Sequence, residues 1–323
     1  MSYAAGGTIQ ANDYNNLAWG GNSSNVYNST ITNTAQVWGV GFGYRGYGQT
    51  TSQIAAVSTG NDVTATQWAG LIYTINTALG HQSGAGGQLA SGSNIGVTAG
   101  ATIAAFANVA TAVGTINTNS NTAATTGATI TGAGFAASVT GGTGTFENIF
   151  TRQIRFWGGP DAVRYFFNSG GQIKWVITST TNNNSTLRSA DLVTQWSTYQ
   201  AGGTLFTSSA TPRTGTGGTV TTANTSLGYW KAGTLTSTIS QITSANYRYE
   251  YNQDYTNVRV RTGGVIGSNG DNGANVFLDF GSYMFSTFAG ANDDVNVTVN
   301  HRIDIVLPES IFLANTWGII GVS

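Results

Sequence analysis

Proton transfer and ion binding at neutral pH need particular side chains, and this chain has few of them. Its 323 residues include two histidines, no cysteine, 12 basic and 13 acidic side chains. His81 and His301 are 220 positions apart, and neither belongs to an HExxH spacing. Each therefore reads as a structural side chain rather than a proton carrier or metal ligand. His81 follows Gly80 at the end of an apolar stripe, where an imidazolium would complement a helix dipole. Asp293-Asp294 and Asp271-Asn272-Gly273 offer oxygen ligands of the kind calcium takes. The EF-hand spacing is missing, and Asp-Asn-Gly is first a turn signal. Gly39-Val40-Gly41-Phe42-Gly43 has only a superficial likeness to a phosphate loop, since no GK[ST] follows it. Without thiols there is no disulfide framework and no cysteine nucleophile. No pair of carboxylates is marked out for glycoside hydrolysis. The expectation is a protein that is not an enzyme and carries no cofactor and no metal.

The elements that would position these groups follow from charge and periodicity. Residues 1–146 contain only Asp13, Arg45 and Asp62, and the other 22 charges lie between Glu147 and Glu309. Charged residues make up 8% of the chain, against about 25% in an ordinary domain. A net charge of −1 with no charge block argues against nucleic-acid binding. Eight Trp, fourteen Tyr and fourteen Phe give enough apolar surface for a sizeable core. An uncharged front region is poorly soluble if fully exposed, which leads us to expect that other chains cover it. No apolar run approaches the roughly 20 residues that span a bilayer. The start lacks the basic and apolar regions of a signal peptide, so synthesis in a cytoplasm is expected.

The front region contains an internal repeat. Ile9-Gln10-Ala11-Asn12-Asp13-Tyr14-Asn15-Asn16-Leu17 aligns, 54 positions on, with Val63-Thr64-Ala65-Thr66-Gln67-Trp68-Ala69-Gly70-Leu71. Both copies place a polar helix start before an aromatic and a Leu three apart. Trp68, Leu71, Ile72, Ile75 and Leu79 then form one helical stripe, predicting a helix over 65–80 that Gly80 stops. Ile103, Phe106, Ala110 and Val113 predict a second helix near 101–117. The Gly-, Ser- and Thr-rich stretches 84–100 and 118–144 read as connectors or wrapping arms.

The rest reads as β. Phe166 to Ile177 looks like a hairpin turning at Asn168-Ser169-Gly170-Gly171. Period-two alternation marks strands around Tyr247–Tyr251, Val258–Val260, Val295–Val299 and Ile303–Ile305. A partial stripe suggests one helix near 186–199. The fold expected is α+β, mostly β, with short N-terminal helices, Gly-rich loops and a C-terminal antiparallel β-sandwich. The expected organisation is an anchoring region at 1–90, a low-charge helix and connector at 91–146, and a β-rich domain at 147–323.

Several motifs in order resemble virion structural proteins of tailed bacteriophages, notably marine and cyanobacterial ones. They are Ile9-x-Ala11-x-Asp13-Tyr14-Asn15-x-Leu17, Gly46-Tyr47-Gly48-Gln49, Gln67-Trp68-Ala69-Gly70-Leu71, His81-Gln82, Arg164 to Ile173, Pro308 and Thr316-Trp317-Gly318. The resemblance implies a tail-fibre, neck or tail-associated component, located in the virion and made in the host cytoplasm. It brings no catalytic residues with it. The partners expected are copies of the chain and other virion proteins, with no nucleic acid and no membrane insertion. The self-association face is expected on the helical stripes, at Tyr14, Leu17, Trp68, Leu71, Ile72, Ile75, Leu79, Ile103, Phe106 and Val113. Other readings are a host-glycan receptor-binding module using exposed aromatics, a capsid decoration protein and a tail-associated depolymerase.

Overall fold

A computed structural model describes residues 9–19, 33–41, 45–84, 89, 106–141, 146–181, 189–190, 193, 204–206, 237–242, 255–262, 274–284 and 295–323. Helices and antiparallel strands are both prominent there.

The repeat is a structural one. Helix α1 (Ala11–Ala18) and helix α3 (Ala65–Ser83) both begin at the repeat's alanine, with Gln10 and Thr64 at the preceding N-cap positions. Tyr14 and Trp68, equivalent in the repeat, are both fully buried, and Leu17 and Leu71 are buried too. A β-bridge between Gln10 and Asp62 ties the two helix starts together. Thr64 and Gln67 form a reciprocal capping box, which satisfies two N–H groups at the start of α3.

Helix α3 does not stop at Gly80. It runs to Ser83 and is capped by Gly84, whose φ of +80° suits glycine alone. Gly80 serves packing instead, because a Cβ there would lie 2.6 Å from the ring of Phe312. Helix α2 (Thr34–Trp38), capped by the Asn33 side chain, and helix α4 (Phe106–Thr118) complete the layer. Residues 101–105 of the predicted second helix lie outside the described residues. One apolar cluster joins α1 to α4, Tyr47, Ile54, Val57 and Leu313.

Among the described residues, ten strands form two antiparallel sheets. They are β1 (Thr126–Ile130), β2 (Phe135–Gly141), β3 (Phe146–Phe156), β4 (Gln172–Thr181), β5 (Thr204–Phe206), β6 (Ser237–Ile242), β7 (Tyr255–Thr262), β8 (Asn275–Met284), β9 (Val295–Pro308) and β10 (Ile320–Val322). The first sheet is ordered β1-β9-β4-β5, with β2 also on β9. Long β9 takes β2 along residues 295–301 and β1 along 305–308 on one edge, and β4 on the other. The second sheet is ordered β10-β3-β8-β7-β6.

Residues from both sheets share a second apolar cluster with helix α5 (Ala162–Asn168). In it Trp175, Ile173 and Ile303 of the first sheet meet Ile154, Phe156 and Leu278 of the second. The β-patterned stretches 258–260, 295–299 and 303–305 fall on strands β7 and β9. Tyr247 to Tyr251 and most of 186–199 lie outside the described residues.

Two expectations fail for identifiable reasons. The 118–144 stretch is not a connector. Small β-branched and Gly residues there build β1 and β2, whose apolar content is low because both are edge strands on β9. The hairpin at 166–177 is not a hairpin either, because its first arm is α5. Ala162, Val163, Phe166 and Phe167 recur at i, i+1, i+4 and i+5, and every residue of α5 is buried. Asn-Ser-Gly-Gly is the stop of this helix before β4, with Gly170 at φ +86°. At Gly171 a Cβ would meet the Phe166 ring at 2.5 Å.

Candidate interaction surface

The sequence-predicted interface residues do not form a free face. Tyr14, Leu17, Trp68, Leu71, Ile72, Ile75, Leu79 and Val113 are buried by the chain itself, in the helical cluster. Phe106 is partly buried and stacks on Trp68, with ring centroids 6.3 Å apart. Ile103 lies outside the described residues. The stripes of α1, α3 and α4 cover one another and are closed by Leu313, so no second copy is needed to hide them.

The polar groups of the interior are also used structurally. Arg164, fully buried, donates to the carbonyls of Val40 (2.8 Å) and Arg45 (2.9 Å) and pairs with Asp161 at 2.6 Å. Asn168 donates to the carbonyl of Gly46 at 3.0 Å. The Gly-rich loop is thus clasped by α5, and its turns need glycine at Gly41 (φ +59°) and Gly46 (φ +104°). Its carbonyls face a guanidinium, which is the opposite of a phosphate cradle. The signal for it in the sequence is a lone Arg inside an aromatic run. Gln49 accepts from the N–H of Ala314 and donates to its carbonyl, while Thr316 donates to the carbonyl of Tyr47. These bonds tie the C-terminal segment to the helical layer.

The two histidines are held neutral. His81 is buried edge-on to Tyr47 at 5.2 Å, a packed side chain rather than a charged complement to the helix dipole. Burial pushes its pKa down to about 4, with Glu309 and the Ser169 backbone pulling weakly the other way. His301 of β9 sits among Phe135, Phe150 and Trp175, at 5.3–5.9 Å between ring centroids. Neither of its ring nitrogens has a hydrogen-bond partner among the described residues. Burial, aided by Arg152, lowers its pKa to about 4. Above the unfolded value of about 6.5 neither state binds these protons. Between 6.5 and 4 the unfolded chain takes up protons that the folded chain refuses, so stability falls as pH falls. Urea unfolding at pH 7 and at pH 4.5 is expected to show a loss of a few kcal/mol. His301→Leu should flatten that slope by about one proton. An unchanged slope would mean that His301 is not held neutral by the fold.

Asp271-Asn272-Gly273 and Asp293-Asp294 lie outside the described residues. Among the described residues no three His, Cys, Asp or Glu come together as a metal cluster. No described helix is long and apolar enough to cross a membrane.

Unpartnered apolar surface gathers instead around the C-terminal segment. Ile311 and Ile319 are 76% and 75% exposed, Trp157 53% and Ile130 49%. A groove of about 490 Å³ opens between the end strands β1 and β10 of the two sheets. Ile130, Leu307, Trp317, Ile319 and Ile320 are among its walls, and Glu309 is its one charged residue. Trp157 lies across Gly321, where a Cβ would meet its ring at 2.7 Å, and the Arg155 guanidinium is 5.1 Å from the ring centroid. A smaller apolar dimple surrounds exposed Tyr73 on α3. Sequence reading missed the larger patch, although Ile319-Ile320-Gly321-Val322 is an apolar run in plain view. No family model, curated protein or solved structure matches this chain.

Proposed function

We propose that this protein is a structural component of a tailed-bacteriophage virion, of tail-fibre, neck or tail-associated type, that works by homo-oligomeric assembly and attachment to the particle. The observation that carries the assembly reading is the exposure of Trp157, Ile319, Ile130 and Ile311 around the C-terminal segment. Exposed patches of that kind mark interaction sites. The scarcity of charge supports the same reading, since little of the front region repels a neighbour. The virion assignment itself rests on the ordered motifs from Ile9 to Gly318. In this reading the two sheets stack as a β-sandwich, and the helical layer is a folded part of the building block rather than a sticky stripe.

Native mass spectrometry of the full chain tests the assembly. The expected result is closed multiples of the 33.5 kDa chain, growing with concentration. A 33.5 kDa species alone at every concentration would refute self-assembly. Glycan binding through Trp157 is a second reading, because its ring is half exposed. Arg155 already occupies one stacking position over that ring, which places assembly first.

A further inference from the structure

We propose that the free edge of β10 pairs antiparallel with β10 of a second copy about a two-fold axis at Gly321, joining two five-stranded sheets into one. This rests on the assembly reading and specifies its surface. Strand β10 pairs with β3 through Ile319, Gly321 and Ser323. Trp157 donates to the Ile319 carbonyl, and Gln153 and Ser323 exchange both bonds at 2.9 Å. Alternation along an antiparallel ladder then turns the N–H and C=O of Ile320 and Val322 away from β3. No described residue pairs with them.

Proteins usually blunt such an edge with Lys, Pro or a bulge. The other end strand at this groove does so: β1 has a register irregularity between Thr126 and Thr129. Ile320-Gly321-Val322 has none of these devices, and its register on β3 is unbroken.

Self-pairing also satisfies the edge. With Gly321 opposite its own copy, Ile320 of each chain exchanges two backbone bonds with Val322 of the other. Side chains crowd most at that central pair, and both are hydrogen. Trp157, already lying over Gly321, and exposed Ile319 are carried to the seam from both copies. Among the described residues the patch holds one base, Arg155, and one acid, Glu309, so it is balanced in charge against itself rather than self-repelling. Three residues of strand bury little alone, and the apolar flank is what brings the contact toward the area that a specific interface needs.

The test compares Val322→Pro with Val322→Ala in the full chain by sedimentation velocity. Proline removes an N–H that faces away from β3 and is tolerated at such an edge. Alanine trims the same side chain and keeps the N–H. Hydrogen exchange of the wild type is followed at Ile320 and Val322 over a hundredfold concentration range. The expected result is at least tenfold weaker self-association for the Pro variant than for the Ala variant, with both wild-type amides protected only at high concentration. An oligomer that persists equally in both variants, with the two amides unprotected, overturns this surface and leaves the assembly reading standing. A wild type that stays monomeric overturns both. Should the Pro variant fail to fold, wild-type exchange alone decides.

Discussion

Arg164→Met is expected to destabilise the protein by about 3–5 kcal/mol, because it removes one partner from a buried charged network. Asp161 loses its ion pair, and the carbonyls of Val40 and Arg45 lose their donor inside the protein. Methionine fills much of the volume but offers no donor. Arg164→Lys should recover only part of the loss, since a single ammonium cannot fork to two carbonyls and a carboxylate as a guanidinium does. Urea unfolding measures both variants. Amide exchange at Tyr47, whose N–H binds the Val37 carbonyl behind the loop, should accelerate in the Met variant. A loss below about 1 kcal/mol would show that the clasp between α5 and the Gly-rich loop contributes little to the fold.

Trp68→Ala tests whether the helical stripe is core or interface. Trp68 is 1% exposed and stacks on Phe106. Truncating a buried Trp costs about 3–5 kcal/mol. In a chain of this size that is a fall of roughly 4–7 °C in melting temperature. The fall should be the same at every protein concentration, because the cavity opens within one chain. Trp68→Phe should cost less than half as much, since it keeps a ring and removes an indole N–H that has no hydrogen-bond partner among the described residues. A loss that appears only at low concentration would return Trp68 to an interface between copies.

These two residues also show what could be read from the chain. The stripe Trp68, Leu71, Ile72, Ile75 and Leu79 announced α3 because a helix repeats its face locally, and the repeat marked the neighbourhood of two helix starts. Which surface would cover that stripe is a non-local question. Leu313, far along the chain, answers it, and periodicity has no access to such a contact. The same limit explains Gly80, which read as a stop until Phe312 was seen against it. Strand β9 was legible from its alternating Val and Ile, because both its faces follow period two. Strands β1 and β2 were not, since edge strands made of Thr, Ala, Ser and Gly look like linker composition. Helix α5 was misread because Phe and Tyr suit strands as well as helices. Its full burial, which settles the matter, comes from tertiary packing. The Arg164 clasp joins positions 119 to 124 apart, a pairing that no local spacing marks.

If the chain is a part of a phage particle, as we propose, quantitative mass spectrometry of particles purified on a density gradient from a lysate will find it there. Peptides of this chain are expected to band with the intact particles, in a fixed integer ratio to the major capsid protein after washing at high salt. Finding the chain only in the soluble fractions, with none in the particle band, would contradict it.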